Sequence, residues 1–514
     1  MKNNELKLGA ILSYIILGLE LVVGLFYTPI LTRTLGQAEY GLYSLVASII
    51  SYLTVLDLGF GSAIVVYTAR YRANNEKEKE NRLHGMFLII YTIIGIIAGV
   101  IGYILYLNVD KMFGNSMTLQ EIEKAKIMML ILTANLVITF PMNIFSSTIT
   151  AYEKFIFAKT VNIIRIIINP IVMLALLHMG YKSVGIVVAT TVLNIITLLI
   201  NMLYCIKNLK MKFDFSKFDF KLLGEIFSFS FFIFLNVLVD KANWSIDQFI
   251  LGSIIGTVAV AIYNIATQFN IIYLSFSTAI SGLLLPRATQ METKKATDEE
   301  FTNFFIKMGR IQYIIMALVI TGFVLIGKEF ILIWQGNDYI QSYYIACILM
   351  IPVTVPLIQN TGLSILQAKN KHKFRTVIFF IIAILNVAMS IPLARKYSGI
   401  GAAIGTAISL VIGQIIIMNI YYYKKIHIDI PKFWKEISKM SIPIVITFII
   451  GLGLNRFIVA ENYIVLLLKI VIYTLIYAVF VWRFAMNHYE KELFIKPVYN
   501  IINKMRRKTK YDNN

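Results

Sequence analysis

Fourteen long apolar runs fill nearly the whole of this 514-residue chain. A helix needs about 20 consecutive apolar residues to cross the ~30 Å hydrocarbon core of a bilayer. The runs cover roughly 8–31, 41–69, 84–108, 126–151, 159–179, 184–206, 222–251, 256–285, 311–333, 342–366, 377–395, 400–420, 438–456 and 462–484. The pattern predicts an all-α, polytopic membrane protein with about 14 transmembrane helices. The gaps are too short for a soluble domain; the longest is 286–310, and a basic tail closes the chain. The first run has no small-residue cleavage site and leads into a second span, so it reads as a retained helix.

Charge sets the expected orientation, because Lys and Arg stay on the cytoplasmic side. With the N-terminus inside, 36 Lys/Arg fall on cytoplasmic segments and 9 on outer ones, counting charges at span ends with the adjoining loop. Three more, Arg165, Lys241 and Lys469, lie within spans. An even span count then puts both termini in the cytoplasm, with the chain in a bacterial cytoplasmic (inner) membrane. The net charge of +20 is scattered over short loops without an aromatic-interleaved basic face, which excludes nucleic acid as a partner and leaves membrane lipids. Cys205 and Cys347 lie in different spans, and the five His are dispersed, so no metal or disulfide spacing is present.

An internal repeat organises the runs. Leu35-Gly36-Gln37-Ala38-Glu39-Tyr40-Gly41-Leu42-Tyr43 stands 220 residues before Ile255-Gly256-Thr257-Val258-Ala259-Val260-Ala261-Ile262-Tyr263. A second echo pairs Lys159-Thr160-Val161 with Arg375-Thr376-Val377, and at the same distance of 216 Gly185 meets Gly401. An even number of spans separates the copies, so the halves should be two parallel, pseudo-repeated six-helix bundles, as in several transporters. The expected divisions are an N-terminal bundle at 1–210, a C-terminal bundle at 211–425, two appended helices at 426–485 and a basic cytoplasmic tail at 486–514. Two matched bundles suggest alternating access.

Ionisable groups inside spans are the site candidates, since each costs at least ~2.5–3.5 kcal/mol at mid-bilayer unless it faces the bundle interior or a wet cavity. Glu20 and Asp57 lie near the middle of the first two spans, Arg165 about one and a half turns into the fifth, and Lys241 beside Asp240 in the seventh, followed by Asp247. Each is open to structural pairing or to a cavity role. Lys469 reads as a snorkelling anchor. Asp57 sits in Leu56-Asp57-Leu58-Gly59-Phe60-Gly61-Ser62-Ala63, where Gly59 and Gly61 lower helix propensity and mark a hinge, or else a site of close helix packing. Prolines 141, 170, 352, 356 and 443 mark kinks. Trp334 and Trp482 fall near span ends, where interfacial anchoring is the default; Trp244 lies in a polar patch where it could also stack on a sugar. Arg33, Arg70 and Arg287 flank span ends, as topology alone would place them.

Pro29-Ile30-Leu31-Thr32-Arg33-Thr34-Leu35-Gly36, Glu39-Tyr40-Gly41-Leu42-Tyr43 and the Asp57 motif together resemble the N-terminal signature of polysaccharide flippases. Asp247-Gln248-Phe249-Ile250-Leu251-Gly252 and Leu366-Gln367-Ala368-Lys369 extend the likeness across the first twelve spans. The family is the polysaccharide (O-antigen-type) flippase branch of the multidrug/oligosaccharidyl-lipid/polysaccharide flippase superfamily. The resemblance implies a non-enzymatic flippase that moves undecaprenyl-diphosphate-linked oligosaccharide from the inner to the outer leaflet, for O-antigen, capsule or related polysaccharide assembly. It implies a polysaccharide polymerase and chain-length proteins as partners, and H+ or Na+ as a coupling ion rather than a cofactor. Arg165, Lys241, Trp244 and Arg33 are then candidates for binding the substrate. Glu20, Asp57, Asp240 and Asp247 are candidates for ion coupling or for lining the cavity. A multidrug/cation antiporter is the alternative, and the two extra spans count against it. A membrane-embedded glycosyltransferase or polymerase would need a loop with catalytic carboxylates. The 286–310 loop instead reads as a solvated amphipathic segment.

Overall fold

A computed structural model describes residues 2–216, 218–281, 284–371, 373–493 and 495. They are helical almost throughout, and twelve helices among them are long and apolar enough to cross a membrane. The first eight helices are α1 (Lys2–Leu35), α2 (Gln37–Leu53), α3 (Phe60–Ala73), α4 (Lys77–Phe113), α5 (Leu119–Ala151), α6 (Phe155–His178), α7 (Ser183–Lys207) and α8 (Phe220–Ile254). There follow α9 (Thr257–Ser281), α10 (Leu284–Thr293), α11 (Asp298–Trp334), α12 (Ile340–Ile358), α13 (Asn360–Ala368), α14 (Lys373–Leu410), α15 (Met418–Ile426), α16 (Ile430–Phe457) and α17 (Tyr463–Phe480).

The count differs from the expected fourteen at two places. The twelve omit α8, which is 35 residues long. They also treat Phe374–Ile426 as one element of 53 residues. At 1.5 Å per residue that element would be about 80 Å long, more than twice a hydrocarbon core. Ser398, at φ 52° and ψ −137°, breaks it.

Along their middle stretches the long helices are apolar on exposed as well as buried faces. On α4, Phe87, Tyr91, Ile94 and Ala98 recur every three or four residues on the buried face, while Ile93, Ile96, Val100 and Ile104 are exposed. A stripe of that kind would be unfavourable in water and is matched by lipid. Both α5 and α11 begin at capping boxes, Thr118 with Glu121 and Thr297 with Glu300, which satisfy N–H groups the helix leaves open. Trp334 differs from the expected interfacial anchor. It is 4% exposed and packs against Phe269 and Phe330, with ring centroids 5.5 Å apart in both cases.

The repeat has a backbone counterpart. Residues with left-handed φ end or separate helices at Gly36 and Gly256, and at Asn75 and Lys295, each pair 220 residues apart. Glu153 and Asn370, Gly180 and Ser398, and Lys210 and His427 form three further pairs, 217 or 218 residues apart. Leu58 and Gly59, also left-handed, end the tight turn Thr54–Asp57 between α2 and α3.

Contacts divide the chain into two compact units, one of residues 1–264 and 386–402 and the other of residues 265–385 and 403–514. The first therefore contains α8, because α8 packs along α2, α3 and α4.

Candidate functional site

The first unit holds most of the polar residues expected to matter. Helix α2 ends at Leu53, and Leu58 and Gly59 adopt φ of 53° and 75° before α3 starts at Phe60. Glycine takes this conformation without the ~1–2 kcal/mol that a β-carbon adds. The break exposes Asp57 to side-chain partners. Its Oδ1 accepts a 2.7 Å hydrogen bond from the Tyr91 hydroxyl, and Tyr91 is fully buried on α4. Gly61 is helical, and a β-carbon there would meet Ser147 Oγ at 3.5 Å and Tyr91 Oη at 3.7 Å, ordinary contacts. The left-handed turn of the pair is thus made at Gly59.

Helices α1 and α6 run parallel. Glu5 pairs with Lys154 at 3.5 Å, and the Tyr27 hydroxyl lies 2.7 Å from Met173 Sδ. That register brings Arg165 to within about one helical turn of the level of Glu20. Glu20 is exposed and Arg165 half-buried, and neither makes an ion pair or hydrogen bond among the described residues.

Helix α8 packs along α2, the Thr54–Asp57 turn and α3. The carbonyl of Lys241 accepts from the Tyr52 hydroxyl at 3.3 Å, while its half-buried ammonium has no ion pair among the described residues. Asp247, 2% exposed, accepts a hydrogen bond from the Tyr263 hydroxyl. Arg33 is exposed in the last turn of α1. The side chains of Asp240 and Trp244 lie outside the described residues.

Sequence reasoning missed a seam of polar contacts at the end of the first unit where α1 finishes. The Lys124 ammonium and the Ser183 hydroxyl both bond to the Glu39 carboxylate. Thr257 Oγ1 donates to Glu121 at 2.7 Å, Ser116 Oγ to the carbonyl of Gly252 at 2.7 Å, and the Tyr40 hydroxyl to Asn264 Oδ1 at 2.8 Å. Gly41 makes this approach possible, since a β-carbon there would lie 1.8 Å from the Thr257 carbonyl oxygen. The seam joins the two segments of the 220-residue repeat. Its signal in the sequence was Glu39-Tyr40-Gly41, read there as part of a family signature and not as a contact.

The opposite end of the unit carries paired charges. Glu80, fully buried, takes Lys77 at 3.0 Å and the Tyr152 hydroxyl at 2.5 Å. Burial, then the hydrogen bond to Glu80, push the pKa of Tyr152 up, so it remains a donor at neutral pH.

In the second unit the buried charges are matched. Lys469, expected to snorkel, is 2% exposed and bonds to Glu329 at 2.6 Å and to the Ile458 carbonyl at 2.8 Å. A nearby carboxylate and carbonyl satisfy the ammonium inside the fold, which removes the reason to reach for the interface. Arg310, 6% exposed, takes Glu490 through two nitrogens at 2.6 and 3.0 Å, Glu436 at 3.0 Å and the carbonyl of Ala485 at 3.0 Å.

Known proteins share this sequence and architecture. A family described as "Polysaccharide biosynthesis protein" matches residues 8–292. A "Putative O-antigen transporter" of Shigella flexneri is 22% identical over 400 residues, covering 76% of this chain and 91% of that protein. The solved structure of lipid II flippase MurJ in an inward closed conformation superposes with a TM-score of 0.71 at 16% identity, over 96% of this chain and 99% of that one. An inward-facing multidrug resistance transporter of the MATE family, in the MOP superfamily, superposes with a TM-score of 0.64 at 14% identity, over 80% and 99%. At such identities the two structures speak for the fold alone, which is of the MurJ and MATE kind. The relatives and structural neighbours are transporters, not enzymes. The chain is a multi-pass membrane protein and belongs to the polysaccharide biosynthesis protein family, with links to O-antigen transport.

Proposed function

We propose that the protein is a flippase that carries an undecaprenyl-diphosphate-linked oligosaccharide from the inner to the outer leaflet by alternating access. A diphosphate and a hydrated glycan cannot cross hydrocarbon unaided, whereas the polyprenyl tail can stay in lipid. The observation that carries this reading is Arg165, a half-buried cation within a span that has no counter-ion among the described residues. A guanidinium offers a bidentate match to phosphate oxygens and is costly to keep unpaired in a membrane without a ligand. Lys241 supplies a second cation of the same kind, Trp244 a stacking surface for a sugar, and Arg33 a cation at the end where the headgroup leaves.

Five paired left-handed breaks support two parallel six-helix repeats with two appended helices, and so fourteen spans once Phe374–Ile426 is divided at Ser398 and α8 is included. The excess of Lys and Arg assigns the seam at Glu39 and Gly41 to the outer face and both termini to the cytoplasm. The seam then acts as an outer gate, closed in the state described. Glu20 and Asp57, with Asp240 and Asp247, are the groups that would take up a coupling H+ or Na+, and Gly59 the hinge that lets α3 move against α2.

A drug/cation antiporter is the second reading. Glu20, exposed and unpaired among the described residues, is the acid that would serve it. Proteoliposomes containing an undecaprenyl-diphosphate oligosaccharide separate the two, with a lectin or glycosidase reporting exposure of the headgroup. Protein-dependent exposure, weakened in Arg165→Ala and Lys241→Ala without loss of folded protein, is expected. Export of a cationic dye with no glycan exposure across a panel of lipid-linked glycans would replace the flippase by the antiporter.

A further inference from the structure

The turn after α10 and the turn after α3 are related by the repeat, with Lys295 and Asn75 as the left-handed residues 220 apart. Their cations differ in a way the repeat does not predict. After α3, Lys77 pairs with Glu80 at 3.0 Å, Lys79 with Glu76 at 2.8 Å and Arg82 with Asp214 at 3.2 Å. The cavity there is about 330 Å³, and Phe218, Asp219, Phe220 and Leu222 line one side of it. Both cations that line this cavity, Lys79 and Arg82, have a carboxylate, while Arg72 of the same turn donates to the Ala151 carbonyl at 2.9 Å and lies over the Tyr152 ring.

After α10, a cavity of about 700 Å³ is lined by Arg287, Lys294, Lys295 and Lys307. Arg287, Lys294 and Lys295 are exposed and form no ion pair among the described residues. Lys307 Nζ stands 3.5 Å from the ring centroid of Tyr489 and has no ion pair among the described residues. Glu300, the one carboxylate among the described residues that line the cavity, is held by the backbone N–H of Thr297 at 2.8 Å as part of a capping box. Asp298 is drawn away to Lys369 at 3.3 Å. Four cations therefore converge on a space large enough for a headgroup, against a single occupied acid. Phe304, Met308 and Met291 line the same cavity with apolar surface. A cationic rim over an apolar lining is complementary to an amphiphile rather than to a free anion.

We infer that this cavity binds the phosphate headgroup of an anionic membrane lipid, with the start of its acyl chains against Phe304 and Met308. The site lies wholly in the second unit, whereas Arg165 and Lys241 belong to the first, and it does not depend on which substrate is transported. Basic pockets beside membrane helices hold such headgroups through several surface cations acting together.

The test uses the full-length protein in neutral detergent, titrated with phosphatidylglycerol or phosphatidylcholine, with bound lipid counted by native mass spectrometry. The double variant Lys294→Gln with Lys295→Gln is compared with Lys79→Gln with Arg82→Gln, which removes the same charge from the related turn. A thermal unfolding midpoint near that of the unaltered protein establishes that each variant is folded. The expected result is preferential retention of phosphatidylglycerol, reduced about tenfold or more by the Lys294 and Lys295 changes and little by the other pair. Should Lys294→Gln with Lys295→Gln unfold the protein, Lys307→Gln gives the same reading with a smaller loss. Equal losses in both double variants would reduce the effect to general surface charge and overturn the site. Sodium pyrophosphate displacing phosphatidylglycerol at equal concentration would overturn the lipid assignment, since the apolar lining would then contribute nothing.

Discussion

Both units pair charge at helix ends, as Glu80 with Lys77 and Glu39 with Lys124 in the first, but they differ in the charges carried along their long helices. In the second, Lys469 meets Glu329 and Arg310 meets both Glu490 and Glu436, and all of these contacts are at or below 3.0 Å. In the first, Glu20, Arg165 and Lys241 lie within helices and form no ion pair among the described residues. The burial of a charge is therefore a poor guide to function in this molecule. A buried pair fixes helices to one another and is expensive to break; an unmatched charge in a span holds its cost ready for a ligand. The second unit reads as the better locked of the two, and the first as the one equipped for chemistry with an anion.

That contrast breaks down, or sharpens, under four substitutions. Arg310→Ala leaves two carboxylates without their guanidinium and should cost about 3–5 kcal/mol of stability, as removal of one partner of a buried pair does. Thermal unfolding in detergent reads this directly, and transport per folded molecule should hold. Lys469→Ala should cost about 3 kcal/mol for the same reason, and Lys469→Met combined with Glu329→Gln should recover most of it. A single variant as stable as the unaltered protein would make the pair an incidental contact. Arg165→Ala should act the other way round. Its unfolding midpoint should change little, while glycan translocation falls by about 10- to 100-fold, the weight of one charge-assisted hydrogen bond of roughly 1.5–3 kcal/mol. Loss of stability without a specific loss of transport would move Arg165 into the same class as Lys469.

The smallest effect belongs to the surface pair Arg82 and Asp214. Hydrogen bonds from Ser216, through side chain and backbone, and then from Arg82 hold the Asp214 carboxyl below its ordinary pKa of 3.8. A carboxyl lowered in the folded state contributes stability above its unfolded pKa and loses it as pH falls through the folded one. Asp214→Asn should therefore lower the unfolding midpoint slightly at pH 7, and that difference should close on acidification below about pH 3.8.

Local features were legible in the sequence, and distant partnerships were not. The Gly36 and Gly256 turns and the break at Asp57 and Gly59 could be read because a turn advertises itself in neighbouring residues, and all of these are left-handed or adjoin left-handed residues here. The long apolar runs predicted helices for the same reason. By contrast, Lys469 and Glu329 are 140 residues apart, and Arg310 and Glu490 are 180 apart. Nothing in either neighbourhood names the other, so the sequence offers Lys469 only as an anchor and gives Arg310 no distinguishing mark. Glu39 lay inside a recognised motif, yet its partners Lys124 and Ser183 come from α5 and α7. Asp57 and Arg165 were singled out by the cost of charge in hydrocarbon. Which charges stay unmatched is a tertiary fact, and the contrast between units rests on it.

If Arg165 holds a diphosphate-linked glycan during its passage across the membrane, as proposed, its loss must show in transport. The most direct measurement is headgroup exposure in proteoliposomes carrying undecaprenyl-diphosphate oligosaccharide, for the unaltered protein and for Arg165→Lys and Arg165→Ala. Exposure that depends on the protein, survives in part with Lys and collapses with Ala at equal folded content is the predicted result. Exposure that is equal in all three proteins would contradict it.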